Sequence, residues 1–164
     1  MHRLTVQEYR TRPESGLVLI LDNVRSAYNV GSAFRTADAF GVDKVYLCGI
    51  CAVPPSVEIH KTALGAENSV EWEHFGSTLE AVERVKELGF TVISVEQTQN
   101  SVCLSDFECR EGEKYALVFG NEVDGVQQEV VDRSAFAVEI PQQGTKHSLN
   151  VSVSVGVVLW QIRG

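Results

Sequence analysis

Apolar residues in this chain fall into short unbroken runs, and between them lie stretches whose apolar positions recur every three or four residues. Leu17-Val18-Leu19-Ile20-Leu21 is the first such run, the pattern of a strand covered on both faces. Asn29 to Phe40 reads as a helix closed by Gly41, and Lys44 to Cys48 as a second strand. A loop marked by Pro54-Pro55 leads to a short helix near Ser56 to Leu64, ended by Gly65. Val70 to His74 is a short strand candidate. Ser77 then opens a helix, and Glu80 three residues on completes a capping box. Leu79, Val82, Val85 and Leu88 repeat at helical spacing before Gly89 stops the turn. Phe90 to Val95 and Tyr115 to Phe119 read as strands, Gln127 to Asp132 as a short helix, and Ala135 to Ile140 as the last strand. Regular alternation of the two periods predicts the α/β class, a mainly parallel sheet flanked by helices.

The final stretch supports two readings. Val151, Val153, Val155 and Val157 alternate with Ser152, Ser154 and Gly156, which by period alone is a strand. A buried helix with small residues on one face carries the same letters.

Length and composition narrow the class without naming an activity. The 164 residues suit one domain over 1–164, with 1–15 as an N-terminal extension or helix and no separate RNA-binding domain. The segment from Met1 to Glu8 lacks the apolar core of a secretion signal, and no apolar run approaches the ~20 residues of a membrane span. A cytoplasmic location without a membrane partner is the expectation. Cys48 and Cys51 have the C-x-x-C spacing of a zinc knuckle or redox pair, but Cys103 and Cys109 are spaced too loosely to close such a site. Each cysteine lies near the end of an apolar segment, where a small buried thiol is ordinary, so no metal is expected. The formal net charge of −8 argues against a general nucleic-acid binder, since gripping a phosphate backbone usually takes a basic surface. It leaves room for a local basic site formed by Arg25, Arg35, Lys61 and Lys146.

Three motifs carry candidate chemistry. In Asn29-Val30-Gly31-Ser32-Ala33-Phe34-Arg35, Asn29 is placed to cap the helix, and Gly31 and Arg35 share a face. A glycine there opens space over the end of the arginine, whose guanidinium then joins the positive helix end near a phosphate or oxyanion. A capped helix with a structural salt bridge fits the same residues. Gly120-Asn121-Glu122-Val123-Asp124-Gly125 follows an apolar strand, where glycines let a ligand approach the backbone. A tight polar turn is the alternative. Ile140-Pro141-Gln142-Gln143-Gly144-Thr145-Lys146-His147-Ser148-Leu149-Asn150-Val151 ends a strand at a proline, crosses a glycine and starts the last helix at Ser148 or Asn150. Alone it is a loop and a cap.

Taken in this order, N-x-G-x-x-x-R, G-N-E-x-x-G and I-P-x-x-G-x-x-x-S-L-N-V resemble the SpoU (TrmH-like) branch of the SPOUT RNA methyltransferases, over a span from about Leu17 to the C-terminus. Two departures are Gln142, where methionine is common in that family, and Ser154, where alanine is usual. The resemblance implies that Val151 onward is a helix, threaded through a loop as a C-terminal deep trefoil knot. It implies S-adenosylmethionine as cofactor, held near Gly120, Asn121, Ile140, Gly144, Ser148 and Leu149. It further implies a homodimer with the active site at the interface, and methyl transfer to a ribose 2′-hydroxyl of tRNA or rRNA. Arg35 would meet the RNA phosphate and the forming oxyanion, with Asn29, Glu122, Ser148 and Asn150 orienting the reactants. Arg25, Lys61 and Lys146 would contact RNA, and His147 is a solvated loop residue rather than a base. A non-catalytic relative that binds RNA or ribosomes, or a methyltransferase with a non-RNA substrate, remains the alternative.

Overall fold

A computed structural model describes residues 2–146 and 148–163. Seven strands form one sheet: β1 (Leu17–Asp22), β2 (Lys44–Cys48), β3 (Glu71–Phe75), β4 (Phe90–Val95), β5 (Val102–Cys103), β6 (Lys114–Gly120) and β7 (Phe136–Glu139). Their order is β3-β2-β1-β6-β4-β7-β5, and every pairing is parallel. Among the described residues seven α-helices accompany them: α1 (Val6–Thr11), α2 (Ala27–Ala39), α3 (Val57–Ala63), α4 (Ala66–Ser69), α5 (Thr78–Glu87), α6 (Gln128–Arg133) and α7 (Val151–Arg163).

The unbroken apolar runs are explained by two cores. In β1, Leu17, Leu19 and Leu21 point to the face covered by α2, α3 and α7, whereas Val18 and Ile20 point to the face covered by α5 and α6. Strand β6 divides the same way, with Leu117 and Phe119 on the first face and Ala116 and Val118 on the second. Successive side chains of a strand alternate, so a strand packed on both sides has no polar positions left. Phe34, fully buried on α2, belongs to the first core, and burying a side chain of that size stabilises by roughly 1.5–3 kcal/mol.

Several expected boundaries shift by a residue or two, and some elements carried too little pattern to see. Strand β5 is only two residues long. Helix α1 falls within the stretch 1–15 read only as an extension or helix, and Thr5 and Glu8 form its full capping box. Tyr9 pins this helix to the body through its hydroxyl, which donates to Val42 O at 2.6 Å. The ambiguous valine-rich stretch is helix α7: Val151, Val155, Val158 and Leu159 are its buried stripe, at helical spacing. Asn150 caps it, Oδ1 accepting from Ser152 N at 2.9 Å.

Candidate active site

Strand order decides where the motifs meet. Strands β1 and β6 are neighbours, with Asp22 opposite Gly120 at their carboxyl ends. The chain leaves β1 into the first motif and β6 into the second, so both loops open on one crevice, the usual ligand position of open α/β sheets. Strand β7 lies beyond β4, yet Ser148 and Leu149 line a cavity together with Val95 at the end of β4 and Phe119 at the end of β6. Residues 148–150 thus lie back across the strand ends, and the third motif joins the other two.

The junction is a hydrogen-bonded trio with one residue from each motif. Asn29 Nδ2 donates to Glu122 Oε1 at 2.7 Å, and Asn150 Nδ2 donates to the same oxygen at 3.1 Å and to Asn29 Oδ1 at 3.3 Å. Asn29 is buried, while Glu122 and Asn150 are exposed. The loop bearing Glu122 is held from beneath. Asn121 Oδ1 accepts from the backbone of Val123 and Asp124, and Glu96 Oε2 accepts from Val126 N at 2.9 Å. Asp22, wholly buried, accepts from Thr78, Asn23 and Gln127 N, which satisfies a carboxylate that would otherwise be costly to bury.

Two cavities flank this trio. One of about 270 Å³ is lined by Glu96, Phe119, Gly120, Ser148 and Leu149, among others; the second, about 580 Å³, is lined by Asn23, Arg25, Asn29 and Ile50 on the opposite side. Asn121, Glu122, Val123, Gly125 and Val151 line both and form the partition.

Several sequence expectations need correction. Ser26, not Asn29, caps α2, accepting from Asn29 N at 3.2 Å; the helix begins two residues earlier than read, which frees the Asn29 side chain for Glu122. Gly31 does not open space over Arg35. A Cβ there would lie 2.0 Å from Thr62 Oγ1 and 2.3 Å from Ile59 O, so the glycine lets α2 and α3 pack backbone to backbone. Gly120 likewise makes room for its own chain, because a Cβ would lie 2.0 Å from the carbonyl carbon of Gly125.

The remaining candidates scatter. Arg35 is exposed and lines a third cavity, beside α1 and α4, away from the trio. Six residues separate it from Asn29, a rotation of about 120° around the helix at 3.6 residues per turn. Ile140 is half-buried against the first core and Gly144 is exposed; neither lines the small cavity. Arg25 reaches the larger cavity, Lys61 is paired with Glu58 on its own helix at 3.0 Å, and Lys146 is an exposed loop residue. The position of His147 lies outside the described residues.

The expectation of buried thiols holds for two of the four cysteines. Cys48 and Cys51 are buried, and desolvation raises both thiols above their ordinary range, whereas Cys103 is half-buried and Cys109 exposed. Cys51 Sγ accepts from Val24 N and donates to Leu21 O, tying down the loop into α2. Among the described residues no group of three or more His, Cys, Asp or Glu side chains is arranged to hold a metal ion. Sequence reasoning passed over Asp22 and Glu96, although each is an acid closing an apolar run, where a carboxylate has to find donors.

Comparison with known proteins fixes the lineage. Residues 16–160 match the model of the SpoU rRNA Methylase family. The chain belongs to that family. A 23S rRNA (guanosine-2′-O-)-methyltransferase, RlmB, of Neisseria meningitidis is 33% identical over 150 residues, covering 92% of this chain and 59% of the relative. The chain therefore spans about three-fifths of that relative's length. An AdoMet-bound rRNA methyltransferase from Sinorhizobium meliloti superposes with a TM-score of 0.83 at 26% identity, over 93% of this chain and 58% of that one. A structure concerned with 2-OH methylation of C/U34 on tRNA superposes at 0.72 with 28% identity, over 88% of this chain and 92% of that one. The parallel α/β sheet shared with these structures is the class expected from the alternation of strand and helix patterns.

Proposed function

We propose that this protein transfers a methyl group from S-adenosylmethionine to a ribose 2′-hydroxyl of tRNA or rRNA. The Asn29–Glu122–Asn150 trio carries the reading, because it brings one polar residue from each family motif to the partition between two cavities. The smaller cavity suits the cofactor. Val95, Phe119 and Leu149 offer apolar walls for an adenine ring, and Glu96 and Glu122 offer carboxylates to the ammonium group of the zwitterionic amino acid moiety. Gly120, Asn121 and Ser148 stand beside them, while Ile140 and Gly144 act by shaping the loop that closes over it. When bound, S-adenosylmethionine supplies a methyl already activated by its sulfonium.

The protein's own work is positioning and electrostatics. Glu122 Oε1 takes both amides, which leaves Oε2 to accept from the ribose hydroxyl. Asn29 and Asn150 fix that carboxylate in place, and Ser148 orients the donor. Arg35 stabilises charge forming on the attacking oxygen, and since it lies outside both flanking cavities it serves the site of a second copy in a homodimer. An exposed apolar stripe on α7, with Val153 50%, Val157 37% and Trp160 67% exposed, gives that copy a surface to cover. The position of Ser148 and Leu149 across the strand ends, just before α7, supports a deep trefoil knot. Arg25, Lys61 and Lys146 are contacts for RNA, and the cytoplasm is where it would be met; no helix among the described residues is long and apolar enough to cross a membrane.

The test is transfer of tritium from labelled S-adenosylmethionine to unmodified tRNA and to rRNA, followed by nucleoside analysis. Label in a 2′-O-methyl nucleoside is the expected result. RNA retention with no affinity for the cofactor would leave only a binding protein.

A further inference from the structure

The third cavity raises a question of charge. It is the largest of the three at about 960 Å³, lies between α1 on one side and α2 and α4 on the other, and is lined by Arg3, Arg35 and Arg163. All three are exposed, and among the described residues none of them makes an ion pair. Four cations elsewhere are engaged, Arg12 with Asp43, Lys44 with Glu73, Lys61 with Glu58 and Arg133 with Glu83. Others, such as Arg25, Lys86 and Arg110, likewise form no ion pair among the described residues, but are not gathered around one groove. Asp38 is the one carboxylate among the described residues lining the groove, and its Oδ1 already accepts from Ser69 at 2.6 Å. A chain of net charge −8 thus gathers around one concavity three guanidinium groups that have no ion pair among the described residues.

The groove is also built to hold its shape. Thr5 and Glu8 cap α1 reciprocally, Tyr9 anchors it to Val42, and Arg12 donates to Gly41 O at 2.8 Å beneath it. Arg3, two residues before this cap, is therefore carried on a docked wall rather than on a loose end.

We propose that this groove binds the sugar–phosphate backbone of the RNA, with Arg3 and Arg163 holding phosphates on either side of Arg35. The proposal rests on the methyltransferase reading and deepens it, naming how an acidic protein grips a polyanion. Guanidinium groups suit phosphate through paired N–H donors, and three of them lining a groove of about 960 Å³ leave room for more than a single ion. Helix α2 links grip and chemistry, since Arg35 lies about 9 Å along its axis from Asn29.

The experiment measures binding of unfractionated tRNA and of a single-stranded oligouridylate to the full chain as a function of salt, for wild type, Arg3→Ala/Arg163→Ala and Lys86→Ala. Lys86 sits on α5, on the other face of the sheet, and serves as the control. The double variant is expected to bind both RNAs about tenfold more weakly at low ionic strength, with a log–log salt slope shallower by about 1.4–2. Cofactor affinity by calorimetry and sedimentation should stay as in wild type, and Lys86→Ala should match wild type throughout. An unchanged slope in the double variant, while wild type binds RNA, overturns the groove alone. A changed oligomeric state with unchanged RNA affinity also overturns it, by making the groove a subunit contact. Wild type that takes up cofactor but binds and methylates no RNA overturns the methyltransferase reading, and the groove falls with it.

Discussion

The two ends of helix α2 differ sharply. At its front, Asn29 is buried and locked to Glu122 and Asn150, each amide having a partner. Toward its rear, Arg35 stands in a groove with no ion pair among the described residues. The first arrangement is preorganised and has spent its hydrogen bonds on neighbours; the second keeps its donors for something that arrives. A site that must place atoms needs the former, and one that must capture a mobile polyanion gains from the latter.

The largest expected effect comes from removing the rear charge. Arg35→Ala should lower methyl transfer by about 100-fold or more, in the range of losing one transition-state donor. Stability in urea should move by no more than about 0.5 kcal/mol, as for an exposed residue. A variant that turns over normally would end the contrast. Gly31→Ala should act on the middle of the helix, costing about 1–3 kcal/mol in urea denaturation because Ile59 O cannot swing aside as a side chain would. At the front, Glu122→Ala leaves two amides without their shared acceptor, one of them buried. It should cost about 1–3 kcal/mol and most of the cofactor affinity, read by denaturation and calorimetry.

The smallest effect is chemical. Cys51 lies under the loop into α2 with its thiol raised by burial, so alkylation of native protein near pH 8 should spare Cys48 and Cys51 while the exposed Cys109 is modified first. The thiolate is the reactive form, so raising the pH speeds every site, with the buried pair slowest throughout. Faster labelling of Cys51 in the Glu122 variant, followed by mass spectrometry, would show that the front of α2 has loosened.

Much of this was readable from residues. Runs such as Leu17 to Leu21 demanded two-sided cover, and they are buried on both faces. The three motifs held Asn29, Glu122 and Asn150 as candidates, though not the hydrogen bonds among them. What escaped was tertiary. No spacing says that Gly31 faces the α3 backbone or that Gly120 faces Gly125, because those partners come from other segments. The start of α2 was misplaced because Ala27 and Tyr28 add little to an apolar stripe, leaving Ser26 unnoticed as the cap. The separation of Arg35 from Asn29 was different: a turn of about 100° per residue already sets them apart, and the motif's compactness obscured it.

The partition between the two flanking cavities has a practical corollary for redesign. Residues 121–123, 125 and 151 face both chambers, so altering them to widen one would remodel the other. Under the proposed assignment of the smaller chamber to the methyl donor, engineering for an enlarged donor belongs at Gln97, Leu149 or Ser154, which border only that chamber, whereas Asn23, Arg25 and Ile50 border only the larger.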